Sequence, residues 1–412
     1  LRICALQFDI PVQPLARGRP SRNPFSDWRV VRARCIIPGV NTLTQTVRAL
    51  TPAMQCRAYL IADEKTRTAA VVDARFDWAP RILDALSREG LTLKYAIDTH
   101  THADHLSGSE RLRNLTGCKI VMSGATRSKV ADSLARDDDE FELGAHALRF
   151  LHTPGHTPDS MCVLVGNALL TGDTLFIGGS ARTDFMGGSA ASLFDSFRRL
   201  EALGGEIEIH PGHDYNGKHV STIAEELRSN AAFRERDKRA LVARLDVPGP
   251  LPNNMAEMLA FNTRAGLAES SIVQPREVSS LGKPGRDFTV VDVRYADEFA
   301  AGRMEGAYAL PLPEVSLRVH ELEKLKRPLL FVCKAGVRAT IAMMAARKAG
   351  LNECLLLEGG MEAWAASKLP MTSDNGAPRV IAPAATGPSA ACAAGGCAAP
   401  TVSAHSWSDW II

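Results

Sequence analysis

Thr99-His100-Thr101-His102-Ala103-Asp104-His105 sets four metal-ligating side chains, His100, His102, Asp104 and His105, within six residues. Imidazole nitrogen and carboxylate oxygen are ligand types suited to Zn or Fe. The heptad follows an apolar run at 93–97, a buried-strand candidate. Alternation beyond the strand end points His100 and His102 the same way, and Asp104 and His105 fall where the next helix starts. Three further groups also follow apolar runs: His156 in Thr153-Pro154-Gly155-His156-Thr157, Asp173 in Leu170-Thr171-Gly172-Asp173-Thr174, and His213 in His210-Pro211-Gly212-His213-Asp214-Tyr215. Loops at strand ends are where such sites are built. A lone histidine is read as structural or surface, as are His146, His219, His320 and His405. The heptad with three strand-end partners is read as a metal site.

A second chemistry stands in Val332-Cys333-Lys334-Ala335-Gly336-Val337-Arg338. The apolar run 329–332 ends at Cys333 and a helical pattern begins at Val337. A thiol at a helix N-terminus meets free backbone N–H groups, which lower its pKa and hold a bound anion. Arg338 adds a fixed charge. Four residues separate Cys333 from Arg338. Cys-dependent phosphatases use a wider loop, and the tighter one suits a persulfide sulfur. The bland alternative is an inert buried thiol; the strand–loop–helix setting favours catalysis. Cys392 and Cys397, in an Ala/Gly tail, are read as unstructured thiols.

The elements that must position these groups alternate short apolar runs with helical stretches. Strands are expected at 58–61, 69–72, 93–97, 119–122, 148–151, 161–165, 168–170 and 206–209, the last of its region, with helices at 80–88 and 190–203. A second α/β unit has strands at 288–291 and 329–332 and helices at 337–349 and 360–367. The chain divides into an irregular segment 1–34, a first domain 35–230, a charged helical connector 231–271 with a Pro-rich break at 247–252, a second domain 272–370, and a tail 371–412 rich in Ala, Pro, Gly and Ser that is expected to be disordered.

Composition bounds the rest. The 412 residues suffice for two domains that each bury a core without disulfides. Nine scattered Cys are no disulfide framework and fit a reducing compartment. With a net charge of +2 and no Lys/Arg block, nothing suggests nucleic acid. No apolar run approaches the roughly 18 residues of a membrane span. The expected compartment is the cytoplasm. The chain starts at Leu1, and its Arg-rich, acid-poor opening leaves a transit peptide open.

The heptad, Pro-Gly-His-Thr, Gly-Asp-Thr and His-Asp-Tyr motifs resemble the metallo-β-lactamase superfamily, in its glyoxalase II and persulfide dioxygenase branch. Arg182-Thr183-Asp184, after the Gly-Asp motif, resembles the dioxygenases, although Ala181 stands where Gly is usual. Val291-Asp292-Val293-Arg294, Glu298-Phe299, the Cys333 loop and Leu357-Glu358-Gly359-Gly360-Met361-Glu362-Ala363-Trp364 resemble the rhodanese family. Ala339, Arg303 and Glu305 depart from its pattern, which more often has Ser, His and Pro there. The implied fold is an αββα metallo-β-lactamase sandwich followed by a smaller α/β rhodanese domain with a parallel sheet.

The resemblance implies two superfamily metal sites, one from His100, His102, His156 and Asp173, the other from Asp104, His105, His213 and a shared Asp173. In the dioxygenases one Fe(II) per chain is held by two His and one Asp, matching His100, His156 and Asp173. His102, Asp104, His105 and His213 would then orient ligands and hold water. Arg182 and Tyr215 would contact the glutathione part of the substrate; the alternative for Arg182 is an ion pair with Asp184. The implied reaction converts glutathione persulfide and O2 into sulfite and glutathione, with Cys333 and Arg338 moving sulfane sulfur from a donor such as thiosulfate. The other readings are a glyoxalase II-type thioesterase with two Zn and a non-enzymatic sulfide-sensing scaffold. A homo-oligomer stays open.

Overall fold

The structure, a computed structural model, describes residues 46–380 apart from 51–55, 185, 186, 216, 250, 252, 253, 265, 266 and 375. The segment 1–34 and most of the tail, including Cys392, Cys397 and His405, lie outside the described residues.

Two six-stranded sheets build the first unit. One contains, in spatial order, β1 (Val47–Ala49), β2 (Tyr59–Asp63), β3 (Thr68–Val72), β4 (Thr92–Ile97), β5 (Lys119–Ser123) and β6 (Ser133–Ala135). The other runs from β7 (Glu140–Leu143) through β8 (His146–His152), β9 (Met161–Val165), β10 (Ala168–Gly172) and β11 (Glu208–Pro211) to β12 (Ser221–Thr222). The central strands β2, β3, β9 and β10 are buried on both faces, so they read as nearly continuous apolar runs. The period of two still sorts their side chains. Tyr59, Ile61, Ala70 and Val72 face Phe150, Val163 and Leu170 between the sheets. Leu60, Ala69 and Val71 face outward onto Trp78, Ile82 and Leu86. The last two belong to α1 (Ala79–Arg88); α2 (Ser109–Thr116) adds Leu112 to the same layer. On the far side α3 (Ala190–Glu201), α4 (Ile223–Ser229) and α5 (Lys238–Leu245) cover the second sheet through Leu193, Phe197, Ile223, Leu241 and Leu245. The result is an αββα sandwich.

The strand expected at 206–209 is β11, but it is not the last of its region. The short β12 pairs antiparallel with it at the sheet edge. Strands β1, β6, β7 and β12 and helices α2 and α4 carry no clear apolar run in the sequence.

After α6 (Met255–Thr263) comes a five-stranded, wholly parallel sheet: β13 (Ile272–Val273), β14 (Thr289–Asp292), β15 (Tyr308–Ala309), β16 (Leu329–Val332) and β17 (Cys354–Leu357), ordered β13-β17-β16-β14-β15. Helices α7 (Ala296–Ala301), α8 (Leu312–Leu322), α9 (Val337–Lys348) and α10 (Gly360–Ala366) complete this α/β domain. Its core reaches back into the first unit. Phe76 and Leu106 share one apolar cluster with Met258, Phe261, Val291, Phe331 and Ile341. Arg111 of α2 reaches across as well, pairing in buried surroundings with Glu358. The segment 231–271 therefore packs on both units, α5 on the sandwich and α6 at the junction. The start of the expected tail is ordered: Thr372 pairs with Arg303, and Val380 packs on a second apolar cluster that includes Val290, Leu330 and Trp364.

Candidate metal centre and cysteine loop

Four strand ends converge on one edge of the sandwich. β4 leads through Asp98 into His100–His105, β8 precedes His156, β10 ends at Asp173, and β11 leads to His213. Gly172, just before Asp173, has φ +48°, and a Cβ there would run into the Thr99 side chain. Only glycine lets Asp173 approach the heptad loop this closely.

His100, His156 and Asp173 are all buried, and their ligand atoms lie within 4.8 Å of one another. Asp173 Oδ2 is 4.0 Å from His100 Nε2 and 3.9 Å from His156 Nε2. Each ring is oriented by its other nitrogen: His100 Nδ1 lies 3.0 Å from Thr99 Oγ1, and His156 Nδ1 lies 2.8 Å from the Arg182 carbonyl. His100 Nε2 is buried without a hydrogen-bond partner. Burial, with the His102 ring beside it, pushes the His100 imidazole down to about 3, leaving it in the neutral form that ligates metals. Burial works against the Asp173 carboxylate, yet the charge and hydrogen bond of His213 hold it below the usual carboxylate range. Two buried imidazoles, one carboxylate and an orphaned buried nitrogen fit a divalent metal ion.

The remaining heptad groups make other contacts, although His102 Nδ1 and His105 Nε2 are, like His100 Nε2, buried without a hydrogen-bond partner. His102 turns Nε2 to Asp73, 3.2 Å away. Asp73 stands in the left-handed region at φ 54° and accepts from the Thr99 N–H and hydroxyl at 2.7 and 2.9 Å. Asp104 Oδ2 collects three neighbours: Cys56 Sγ at 3.3 Å, His105 Nδ1 at 3.2 Å and His213 Nε2 at 3.1 Å. His213 Nδ1 lies 2.9 Å from Asp173 Oδ1, so one imidazole links the two carboxylates. Although burial opposes it, the His213 and His105 rings bring the Cys56 thiol down to about 7.

Tyr215 stacks on His213 at 5.6 Å between ring centroids. The Arg182 guanidinium makes a two-pronged pair with Asp184, at 2.6 and 2.5 Å, which is the ion pair weighed from the sequence.

Three residues of this region were not legible as site residues. Asp73 and Asp98 each close an apolar strand run, the same signal that marks His100. Asp98 accepts from Ser107 and Ser109, both at 2.7 Å, and so closes the base of the loop. Cys56 offers no such signal, because its place depends on the bridge it forms with His213.

In the second domain Cys333 is buried at the end of β16, and the Gly336 N–H donates to its sulfur at 3.1 Å. The sequence expectation was a lowered thiol pKa. Burial reverses it: the thiol is pushed up despite the backbone N–H groups and Arg338. Arg338 is held by Glu298 at 2.7 and 2.8 Å, and Glu298 is itself fully buried. Asp292 and Arg294 form a wholly buried pair at 2.6 Å, with the guanidinium also donating to the Gly302 carbonyl at 2.7 Å. Gly360, at φ +57°, lets the turn after Glu358 press on the loop, and the Met361 N–H donates to the Cys333 carbonyl at 2.8 Å.

This pair of folds defines the class. Residues 51–213 match the Metallo-beta-lactamase superfamily and residues 276–367 the Rhodanese-like domain. The mitochondrial persulfide dioxygenase of Homo sapiens is 36% identical over 246 residues, covering 58% of this chain and 96% of that one. A hydroxyacylglutathione hydrolase of Methylococcus capsulatus is 34% identical over 211 residues, covering 50% and 80%. A solved metallo-beta-lactamase of Staphylococcus aureus shares the fold at a TM-score of 0.54 and 24% identity, covering 76% of this chain and 97% of that one. The chain belongs to the persulfide dioxygenase family of the metallo-beta-lactamase superfamily and carries a C-terminal rhodanese domain. Among the described residues no helix is long and apolar enough to cross a membrane.

Proposed function

We propose that the chain is a persulfide dioxygenase acting on glutathione persulfide with one Fe(II), coupled to a sulfurtransferase domain working through Cys333. The observation that carries this reading is the partition of the seven ligand-type residues. His100, His156 and Asp173 form one three-membered group, while His102 turns to Asp73, and Asp104 gathers Cys56, His105 and His213. Two His and one carboxylate make the facial triad of oxygen-using iron sites. Fe(II) held there would supply open positions for a persulfide sulfur and O2. The Arg182 carbonyl fixes the His156 ring, and His213 fixes Asp173. Tyr215 and Arg182 are the residues proposed to bind the glutathione part. Overall, glutathione persulfide, O2 and water yield glutathione, sulfite and two protons.

A dinuclear zinc thioesterase is the competing reading, favoured by the Cys56–Asp104–His105 group and by the hydrolase relative. Iron-loaded protein should consume O2 with glutathione persulfide and hydrolyse lactoylglutathione slowly or not at all. An oxygen electrode and a thioester assay on one preparation check this. Fast hydrolysis without oxygen uptake would assign the thioesterase.

In the rhodanese half the Cys333 thiolate attacks the outer sulfur of thiosulfate, sulfite leaves, and glutathione then removes that sulfur as glutathione persulfide. Tethering raises the local concentration of this reactive product beside the oxidising domain. The reaction needs the thiolate, and burial keeps the thiol protonated beyond its ordinary range. Single-turnover sulfur uptake should therefore still be rising between about pH 7 and about pH 9. A flat rate over that range would mean that the loop ionises the thiol after all.

A further inference from the structure

We propose that Asn262 is a positioning residue for the metal centre: its carboxamide clamps the loop that carries His102, Asp104 and His105. This rests on the reading of His100, His156 and Asp173 as metal ligands.

Asn262 lies near the end of α6 and is 5% exposed. Its Nδ2 donates to the carbonyls of His102 and His105, both at 2.8 Å, and its Oδ1 accepts from the Ser107 N–H at 2.8 Å. One side chain thus satisfies three backbone groups of residues 102–107, a stretch with no helical or sheet ladder of its own, from 155 to 160 residues along the chain. Buried backbone groups in such a loop must find partners. An asparagine amide offers two donors and an acceptor in one plane, which matches this demand.

The clamp reaches the ligand set. Asp104 sits between the two clamped carbonyls; its Oδ2 lies 3.1 Å from His213 Nε2, and His213 Nδ1 lies 2.9 Å from Asp173 Oδ1. A shift of the loop is passed through Asp104 and His213 to Asp173. The clamp is itself anchored from both sides. Ser128 Oγ donates to the Asn262 carbonyl at 2.8 Å, and Lys129 N–H donates to the Thr263 carbonyl at 2.9 Å. Phe261 meets Phe76 edge-on at 5.5 Å and, with Met258, lies in the cluster that includes Val291 and Phe331 of the rhodanese domain. The helix that joins the domains is therefore part of the metal site's support.

The test uses the full chain with Asn262→Leu, which removes all three bonds, and Asn262→Asp, which keeps the acceptor for Ser107 and loses both donors. Thermal unfolding, iron content, steady-state kinetics on glutathione persulfide, and the visible spectrum of Co(II)-substituted protein are measured. Both variants should fold and transfer sulfur through Cys333 normally. Their kcat should fall about 10–100-fold. KM should stay within about twofold, because the substrate's own contacts are untouched. The Co(II) spectrum should shift. A folded Asn262→Leu protein with unchanged kcat and Co(II) spectrum would overturn the proposal. So would a parallel loss of sulfur transfer and thermal stability with the Co(II) spectrum unaltered. Should Asn262→Leu not fold, Asn262→Asp decides by the same readouts. If the unsubstituted protein consumes no O2, the dioxygenase reading falls, and the Co(II) spectra alone decide the clamp: a shift supports it and identity refutes it.

Discussion

Cys333→Ser protein is expected to lose oxygen uptake driven by thiosulfate plus glutathione, while uptake on preformed glutathione persulfide stays nearly intact. Serine keeps the size of the side chain and the loop that Gly336 closes on it. It removes the only sulfur nucleophile of the loop, and loss of a nucleophile lowers turnover by a factor on the order of a thousand or more. Arg338 remains paired with Glu298, so the anion-binding side of the loop survives. The deciding comparison is two oxygen traces on one preparation. Thiosulfate-driven uptake that survives the substitution would show that Cys333 is not the carrier. Loss of both traces in a protein that still folds and holds iron would show that the two activities are not separable at Cys333.

The second large effect separates ligands from their supports. His156→Ala should lose most of the bound metal, because it removes one of three converging donors whose other nitrogen is already held by the Arg182 carbonyl. His102→Ala should retain the metal and lose turnover by about 10–100-fold, the usual effect of removing a group behind the ligands. The geometry distinguishes the two: His102 directs Nε2 at Asp73, whereas His156 Nε2 lies 3.9 Å from Asp173. Elemental analysis after desalting, with oxygen uptake on the same samples, measures both. Equal emptying of the site by the two substitutions would sink the three-ligand assignment.

Much of the architecture could be read before any coordinates. The runs at 161–165 and 329–332 carry no polar residue because both faces of those strands are covered. Short edge strands escaped notice for the opposite reason. β12 and β15 have two residues each, too few to show a period, and exist because a neighbouring strand offers hydrogen bonds. The shift in the Cys333 thiol was misjudged because sequence shows the helix start and not the burial around it, and burial is the larger effect.

The candidate ligand inventory, the two domain types and the loop cysteine were determined by the sequence itself, since they depend on residue type, local spacing and position at the ends of apolar runs. What only the tertiary structure decided is how the seven candidate residues pair with one another, that His100 Nε2 is left buried without a hydrogen-bond partner, and that Cys56 and Asn262 reach the same loop. Those facts depend on contacts across 48 residues for Cys56 with Asp104, 109 for His213 with Asp104 and 160 for Asn262 with His102. Hydrogen-bond direction and burial are properties of what lies across the fold, and no local pattern in the chain encodes them.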